Sequence, residues 1–450
     1  MDWLQSALIE TTDYRYASEP NAFCNSIAPD WIDKALHATG TATVRRRRMP
    51  AEQVIWLVLG MALLRDKPIP EVVKYLDLAL PKPDGDRAIA SSSITQARKR
   101  LGEAPLAWLF EHTAEQWAHD SARQHAWRGL SLYAVDGTTL RVADSDENRE
   151  HFGLANGGHR GDSGYPLVRM NALVAIRSHL LAAANFGPYN KSEKYYAEAL
   201  WERIPNHSLT IVDKNYQAAK ILLGIEEDGR DRHYLIRAKK NSKWEVAQSF
   251  GRFDKLVEIK VSGHARRQDD MLPKTYYARA ISYRHPKSKE RQWLLTSMTD
   301  ADKYPSAEIV ALYHERWEIE LAYGEVKTQL LDRKETIRSQ TVAGVRQEIW
   351  GILITFNLIR LEMERIAAEA DVPPNRVSFS AAMHHIRVEW EFCAIGTPGT
   401  IPKKLRRIRE QVMQFVLPER RSERSYPRAV KVKMSNYPKK RRKSKTGRLK

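Results

Sequence analysis

Apolar positions along the chain change their period as the sequence proceeds. Up to about residue 125 they recur at helical spacing. Pro29-Asp30 leads into Trp31, Ile32 and Leu36, Pro50 sits near the start of AEQVIWLVLGMALLR, and Pro70 opens EVVKYLDLAL. Pro suits a helix start, where its missing amide would have no partner anyway. Ser91, Ser92 and Ser93 offer N-caps to ITQARKRLG, and Gly102 offers its stop. PLAWLFEHTAEQWAHD reads as the helix after that.

Beyond Arg128-Gly129 the pattern becomes that of strands. SLYAVDGTTLRV, PLVRMNALVAI and HLLAAANFGP read as three strands, the first ending in a Gly turn. SEKYYAEALWERI reads as an amphipathic helix, SLTIVDKNY as a short buried strand with a polar turn, QAAKILLGI as a helix and HYLIRAK as a strand. That order predicts an α/β chain with a ribonuclease-H-like mixed sheet. Between Lys240 and Asp302, LVEIKVS, TYYARAISYR and RQWLLTSM predict a β-rich insertion at about 241–302. VRQEIWGILITFNLIRLEMERIAAEA is a long apolar helix, and SFSAAMHHIRVEWEF another. The expected division is an all-α N-terminal domain over 1–125, a catalytic domain over 128–370, a C-terminal helical segment over 371–417 and a basic disordered tail over 418–450.

Charge sharpens this picture. The 450 residues carry +18, but residues 401–450 alone hold nineteen Lys and Arg against three Glu. The globular part is therefore near neutral, and a basic tail favours polyanions, nucleic acid above all. A solubilising tail has the same composition. Gln96, Arg98, Lys99 and Arg100 give one N-terminal helix a basic face that suits a helix-turn-helix-like DNA reader or a solvated surface, and Arg45 to Arg48 form a second basic spot. Cys24 and Cys393 are the two cysteines, which excludes a disulfide scaffold or Cys-rich zinc module and fits a reducing cytoplasm. No run of eighteen apolar residues is present, and MDWLQSALIETTD has no basic n-region before an apolar segment, so neither a membrane span nor a signal peptide is expected.

The candidate chemistry lies in YHERWEIELAYGEVK, Tyr313 to Lys327. Read as one helix, it lines up Leu312, Ile319, Tyr323, Val326 and Leu330 as a core stripe, with Tyr313, Arg316, Glu320 and Lys327 along its edge. Glu315, Glu318 and Glu325 fall on the far, exposed side. A salt-bridged face would look similar, because Arg316 and Glu320 are an i,i+4 pair. Two further acids, Asp136 after Leu132-Tyr133-Ala134-Val135 and Asp213 after Leu209-Thr210-Ile211-Val212, emerge from apolar strands. An unpaired carboxylate there is costly unless it meets a cation. Together with Glu320 they form an all-oxygen set suited to Mg²⁺ or Mn²⁺.

The spacing Tyr-x2-Arg-x3-Glu-x6-Lys resembles the Tyr-Arg-Glu-Lys signature of DDE transposases of the insertion-sequence-4 family. AVDGTTLRVADSDENREHFG and LTIVDKNYQAAKILL resemble that family's first and second Asp blocks, and MPAEQVIWLVLGMALLR and SSSITQARKRLG its N-terminal helical domain. One departure is Asn215, where the family usually has Gly; Asn tolerates the left-handed conformation. The resemblance implies that Asp136, Asp213 and Glu320 are catalytic and bind divalent ions, two per site, and that Tyr313, Arg316 and Lys327 touch DNA phosphates. Trp317 matches a position where the family places a stacking aromatic, while simple packing is the plainer reading of a Trp there. It implies cut-and-paste movement of an insertion sequence, a homodimer synapsing terminal inverted repeats, target DNA as second substrate, and a bacterial, cytoplasmic, nucleoid-associated setting. The alternatives are a ribonuclease-H-like nuclease without strand transfer and a catalytically silent DNA-binding protein derived from a transposase.

Overall fold

The computed structural model describes residues 27–417 except 28, 43–47, 77, 80–87, 157–161, 285–289, 333–335 and 394–415. The tail expected over 418–450 and Arg45 to Arg47 lie outside the described residues. Among the described residues, five helices come first: α1 (Pro29–Ala38), α2 (Ala51–Leu63), α3 (Ile69–Tyr75), α4 (Ser91–Leu101) and α5 (Ala104–Gln124). Gly102 ends α4 at φ +67°, a backbone conformation that suits glycine. The serines differ from expectation, because α4 starts at Ser91 itself and its N-cap is Ala90.

α2 is apolar all round because it is enclosed all round. Eleven of its thirteen residues are buried. It packs on α12 (Val342–Glu369), the long helix that the sequence reads as core. The crossing is close: a Cβ on Gly351 would lie 2.5 Å from Val58 Cγ1 and 3.1 Å from the Val58 carbonyl oxygen. At the N-terminal end of α12, Glu348 is buried and takes an ion pair from Arg65 at 2.5 Å. Arg338 N and Ser339 N also donate to its carboxylate. The N-terminal helices thus share one apolar core with α12.

The sheet has strands β1 (Ser131–Val142), β2 (Leu154–Asn156), β3 (Asp162–Ala175), β4 (Leu181–Pro188), β5 (Ser208–Val212) and β6 (Arg232–Arg237). The insertion adds β7 (Glu245–Gly251), β8 (Asp254–Lys260), β9 (Thr275–Arg284) and β10 (Arg291–Thr296). β11 (Thr336–Ile337) is a short addition alongside β1. The spatial order is β2-β3-β1-β5-β6-β10-β9-β8-β7, with β4 on β3. β1, β5 and β6 are parallel, and β3, β4 and the insertion run antiparallel to their neighbours. This is the ribonuclease-H-like mixed sheet that the sequence predicts. The insertion continues that sheet past β6 through the β6–β10 pairing. The remaining α-helices among the described residues are α6 (Asp146–Phe152), α7 (Glu193–Trp201), α8 (Ala219–Glu227), α9 (Gly263–Gln268), α10 (Ser306–Glu315), α11 (Trp317–Gly324) and α13 (Phe379–Cys393). No helix among the described residues is long and apolar enough to cross a membrane.

Candidate active site

The register of β1 creates the site. Among the described residues, β5 pairs with β1 from Ser131↔Ser208 to Val135↔Val212, and β11 joins the same edge from Arg141↔Thr336 to Val142↔Ile337. Asp136 and Asp213 are the next residues after the last β1–β5 pair, so they leave adjacent parallel strands side by side. β1 does not end in a turn at Gly137, as its sequence suggests. It runs on to Val142, because β3 pairs with it from Tyr133↔Ala175 to Arg141↔Leu167. Asp136 therefore sits within a strand, at the point where one neighbour stops. The Tyr323 hydroxyl from α11 fills that edge and donates to the Asp136 carbonyl at 2.6 Å.

Asp136 Oδ1 accepts from Gly137 N at 2.8 Å, and Asp213 Oδ1 accepts from Lys214 N at 2.7 Å. Burial pushes the Asp136 carboxyl up to about 6; the nearby charges of Glu193 and Asp213 add to this, while Gly137 N–H and Arg316 oppose it. Asp213 also caps the 3₁₀ turn Lys214–Tyr216. Asn215 lies inside that turn and is not among the described residues with positive φ, so the Gly-to-Asn departure needs no left-handed backbone here.

The Tyr313 to Lys327 stretch is not one regular helix. It comprises the end of α10, a break at Arg316, α11, and the start of a π-helical turn over Glu325–Leu330. Leu331 N donates to Val326 O at 3.0 Å across that wider turn. Leu312, Ile319, Tyr323, Val326 and Leu330 are buried as the stripe predicts. Arg316 bridges the site: its guanidinium lies 3.6 Å from Asp136 Oδ2 and 2.9 Å from Glu320 Oε1. The Arg316–Glu320 pair is therefore not an isolated surface bridge, since only 19% of the Arg316 side chain is exposed. Tyr313 is buried beside Arg316, and desolvation raises its hydroxyl pKa. Lys327 is half-buried on the π turn. Trp317 is 55% exposed, which removes the core-packing reading for it.

The carboxylates on the other side of this segment are not where the helical projection puts them. Glu318 and Glu325 are turned inward. Glu318 Oε2 lies 2.9 Å from His179 Nε2, Glu325 Oε2 lies 3.2 Å from His179 Nδ1, and the fully buried Arg360 of α12 bonds both Glu325 and His179. Arg360 and His179 pull the Glu325 carboxyl below its usual range despite burial. Glu315 pairs with Arg177 at 2.9 Å. The segment that carries Arg316 and Glu320 is therefore pinned from behind by buried charge. No residue spacing signals this, because His179 and Arg360 are distant in sequence.

The basic helix α4 is divided. Gln96, Lys99 and Arg100 are exposed. Arg98 turns inward, donating to Gln347 Oε1 at 2.8 Å, Ser339 Oγ at 3.0 Å and Gly344 O at 3.3 Å. It fastens α4 to the start of α12, which departs from its expected place on a DNA-facing surface.

Oxygen donors without sulfur or imidazole define the chemistry open to the site: it suits a hard divalent cation. The desolvated Asp136 carboxyl fits such a cation as well. Among the described residues, no three His, Cys, Asp or Glu side chains converge on one point as ready-made ligands. The positive charge between Asp136 and Glu320 is here the Arg316 guanidinium.

A ribonuclease-H-like sheet with acids at the ends of its paired central strands, preceded by a helical region, is the build of a DDE transposase. Residues 127–358 match the transposase DDE domain, and residues 19–111 match the N-terminal domain of insertion element 4 transposases. The chain belongs to the DDE transposases of the insertion-sequence-4 family. It is 37% identical over 413 residues to the transposase InsG for insertion sequence element IS4 of Escherichia coli K12, covering 91% of each chain. It is 36% identical over 247 residues to InsZ of the same strain, covering 54% of this chain and 81% of that one. Among solved structures, a piggyBac transposase synaptic complex with hairpin DNA superimposes at a TM-score of 0.42 and 12% identity, over 94% of this chain and 87% of that one.

Proposed function

We propose that this transposase excises and inserts an insertion sequence by cut and paste, using Asp136, Asp213 and Glu320 as its metal-binding acids. The observation that carries the reading is the ion triad Asp136–Arg316–Glu320 beside the strand-end neighbour Asp213. When bound, two Mg²⁺ or Mn²⁺ ions supply Lewis-acid charge to the attacking and leaving oxygens of a phosphodiester. The protein's part is to hold three carboxylates on rigid elements and to exclude other geometries. Arg316, with Tyr313 and Lys327 along the same segment, grips the phosphates flanking the cleaved bond, since a planar guanidinium binds phosphate as well as carboxylate. Trp317, exposed next to Arg316, offers a stacking face to a base at the end.

In this reading the first step nicks one strand at a terminal inverted repeat. The released 3′-OH attacks the phosphodiester of the opposite strand, forming a hairpin and releasing the flanking DNA; water reopens the hairpin, and the freed 3′-OH attacks a target phosphodiester, joining the end and leaving a 3′-OH on the target strand. A homodimer holding two ends and a nucleoid-associated cytoplasmic setting complete the proposal. Full-length protein incubated with double-stranded end DNA and Mg²⁺ is expected to give nicked and hairpin products, and none with EDTA. Cleavage that persists in EDTA would overturn the metal assignment.

Gln96, Lys99 and Arg100 are the proposed DNA contacts of α4, with Arg98 as their anchor. Lys99→Ala should leave thermal melting unchanged and reduce the slope of log affinity against log salt by ~0.9. Arg98→Ala should instead cost about 1.5–3 kcal/mol of stability, because it removes charged hydrogen bonds from a largely enclosed place. Equal melting losses in both variants would count against this division.

A further inference from the structure

A fourth acid stands beside Asp136. Glu193 opens α7 and lays its carboxyl group over Gly137. A Cβ at position 137 would lie 2.6 Å from Glu193 Cγ and 2.8 Å from Glu193 Oε1. Glycine is thus the residue that leaves this acid room next to Asp136. The carboxylate is also tethered. The hydroxyl of buried Tyr216 donates to Glu193 Oε1 at 2.8 Å, and Asn171 Nδ2 donates to that hydroxyl at 2.6 Å. Asn171 is fully buried on β3 directly opposite Gly137. Its Oδ1 is buried and has no hydrogen-bond partner. Tyr216 ends the 3₁₀ turn that Asp213 caps, so one hydrogen-bonded chain joins the turn after the second Asp to an acid beside the first.

Holding another carboxylate against Asp136 and Asp213 is unfavourable in a protein without a cation, because like charges in a desolvated place repel. The repulsion is relieved when a cation enters. A Ser192 N-cap already satisfies the start of α7 by accepting from Tyr195 N at 3.2 Å, and an acid in the first turn would be adequately placed pointing into solvent. Instead the side chain is directed by a phenol towards the site.

We propose that Glu193 is a fourth carboxylate of the metal site, an oxygen donor towards the ion that Asp136 holds, with Tyr216 and Asn171 as its positioning residues. This rests on the metal reading of Asp136, Asp213 and Glu320 given above. Glu193→Gln tests it, since the amide oxygen can still accept from Tyr216 while the charge is lost. The probe is Mn²⁺ alone, titrated calorimetrically into the full-length protein without DNA near neutral pH. Glu193→Gln is expected to weaken Mn²⁺ binding by ~10–100-fold without lowering the thermal melt of the metal-free protein. Cleavage by this variant should be restored in part by raising the Mn²⁺ concentration. Tyr216→Phe keeps the charge and loses the tether, and should weaken Mn²⁺ binding by less. Wild-type Mn²⁺ affinity in Glu193→Gln, alongside lost affinity in Asp136→Asn, would make Glu193 a helix-start acid only. Wild-type affinity in Asp136→Asn as well would remove the metal reading itself, and this proposal with it. Should Glu193→Gln fail to fold, unchanged Mn²⁺ affinity in Tyr216→Phe would overturn the proposal.

Discussion

Asp136→Asn is expected to abolish strand cleavage and, at the same time, to raise the melting temperature of the metal-free protein. The two effects have one cause. Asp136 is held where its charged form is poorly solvated, and its pKa lies near 6 against an ordinary 3.8. A carboxyl whose folded pKa is raised opposes folding whenever it is ionised. That opposition begins as pH climbs past about 4 and is fully present above about 6. Removing the charge should therefore stabilise the metal-free protein near neutral pH by on the order of 2–3 kcal/mol. It should stabilise it little near pH 4, where the wild-type acid is already neutral. If Asp136 holds the proposed ions, its loss should lower cleavage by ~10³-fold or more, because the charge stabilisation lost is several kcal/mol. Melting curves at two pH values and single-turnover cleavage of end DNA check both halves. An Asn variant that melts earlier at neutral pH would mean that Asp136 is a satisfied structural acid.

Arg316→Ala is expected to lower cleavage by ~10²-fold or more with the fold intact, because phosphoryl transfer depends on alignment and charge at the reacting group. The same change should move the acid limb of the pH–rate profile upward. Arg316 holds the Asp136 carboxyl below what burial alone would give, so its loss requires a higher pH to ionise that acid. Arg316→Lys should rescue little, since a single ammonium cannot meet Asp136 and Glu320 as the guanidinium fork does. Lys327→Ala should fall in the same ~10²-fold range, and Tyr313→Phe should be milder. If Arg316 were only a surface partner of Glu320, its loss would cost ~0.5 kcal/mol of stability and nothing else. Full activity in both the Arg316 and Lys327 variants would return the segment to that plainer role.

The parts of this architecture visible in the sequence are those that physics writes locally. Val135 and Val212 sit at apolar strand positions directly before an acid, which is why Asp136 and Asp213 stand out from other acids. The buried stripe through Ile319 and Tyr323 follows from helical period alone. What could not be read depends on partners far away in the chain. β7 is exposed along its whole length, so no alternating apolar signal marks it as a strand in the sequence. Glu318 and Glu325 look solvent-facing until His179 and Arg360 arrive as their hydrogen-bond and ion-pair partners. Arg98 looks like its basic neighbours Lys99 and Arg100 until Gln347 is set beside it. Glu193 had an ordinary explanation as a first-turn acid after a Ser cap, and only the space over Gly137 gives it another.

The enclosure of α2 also bears on how the protein is made. Its apolar surface is covered largely by α12, and Arg65 finds Glu348 only 283 residues further along the chain. At ~5–20 residues per second, a ribosome needs roughly 15–60 s to cover that distance. For that interval the N-terminal helices exist without the surface they are shaped to meet. The nascent chain therefore passes through a stage with an open apolar groove, and fragments that stop short of α12 keep that groove uncovered.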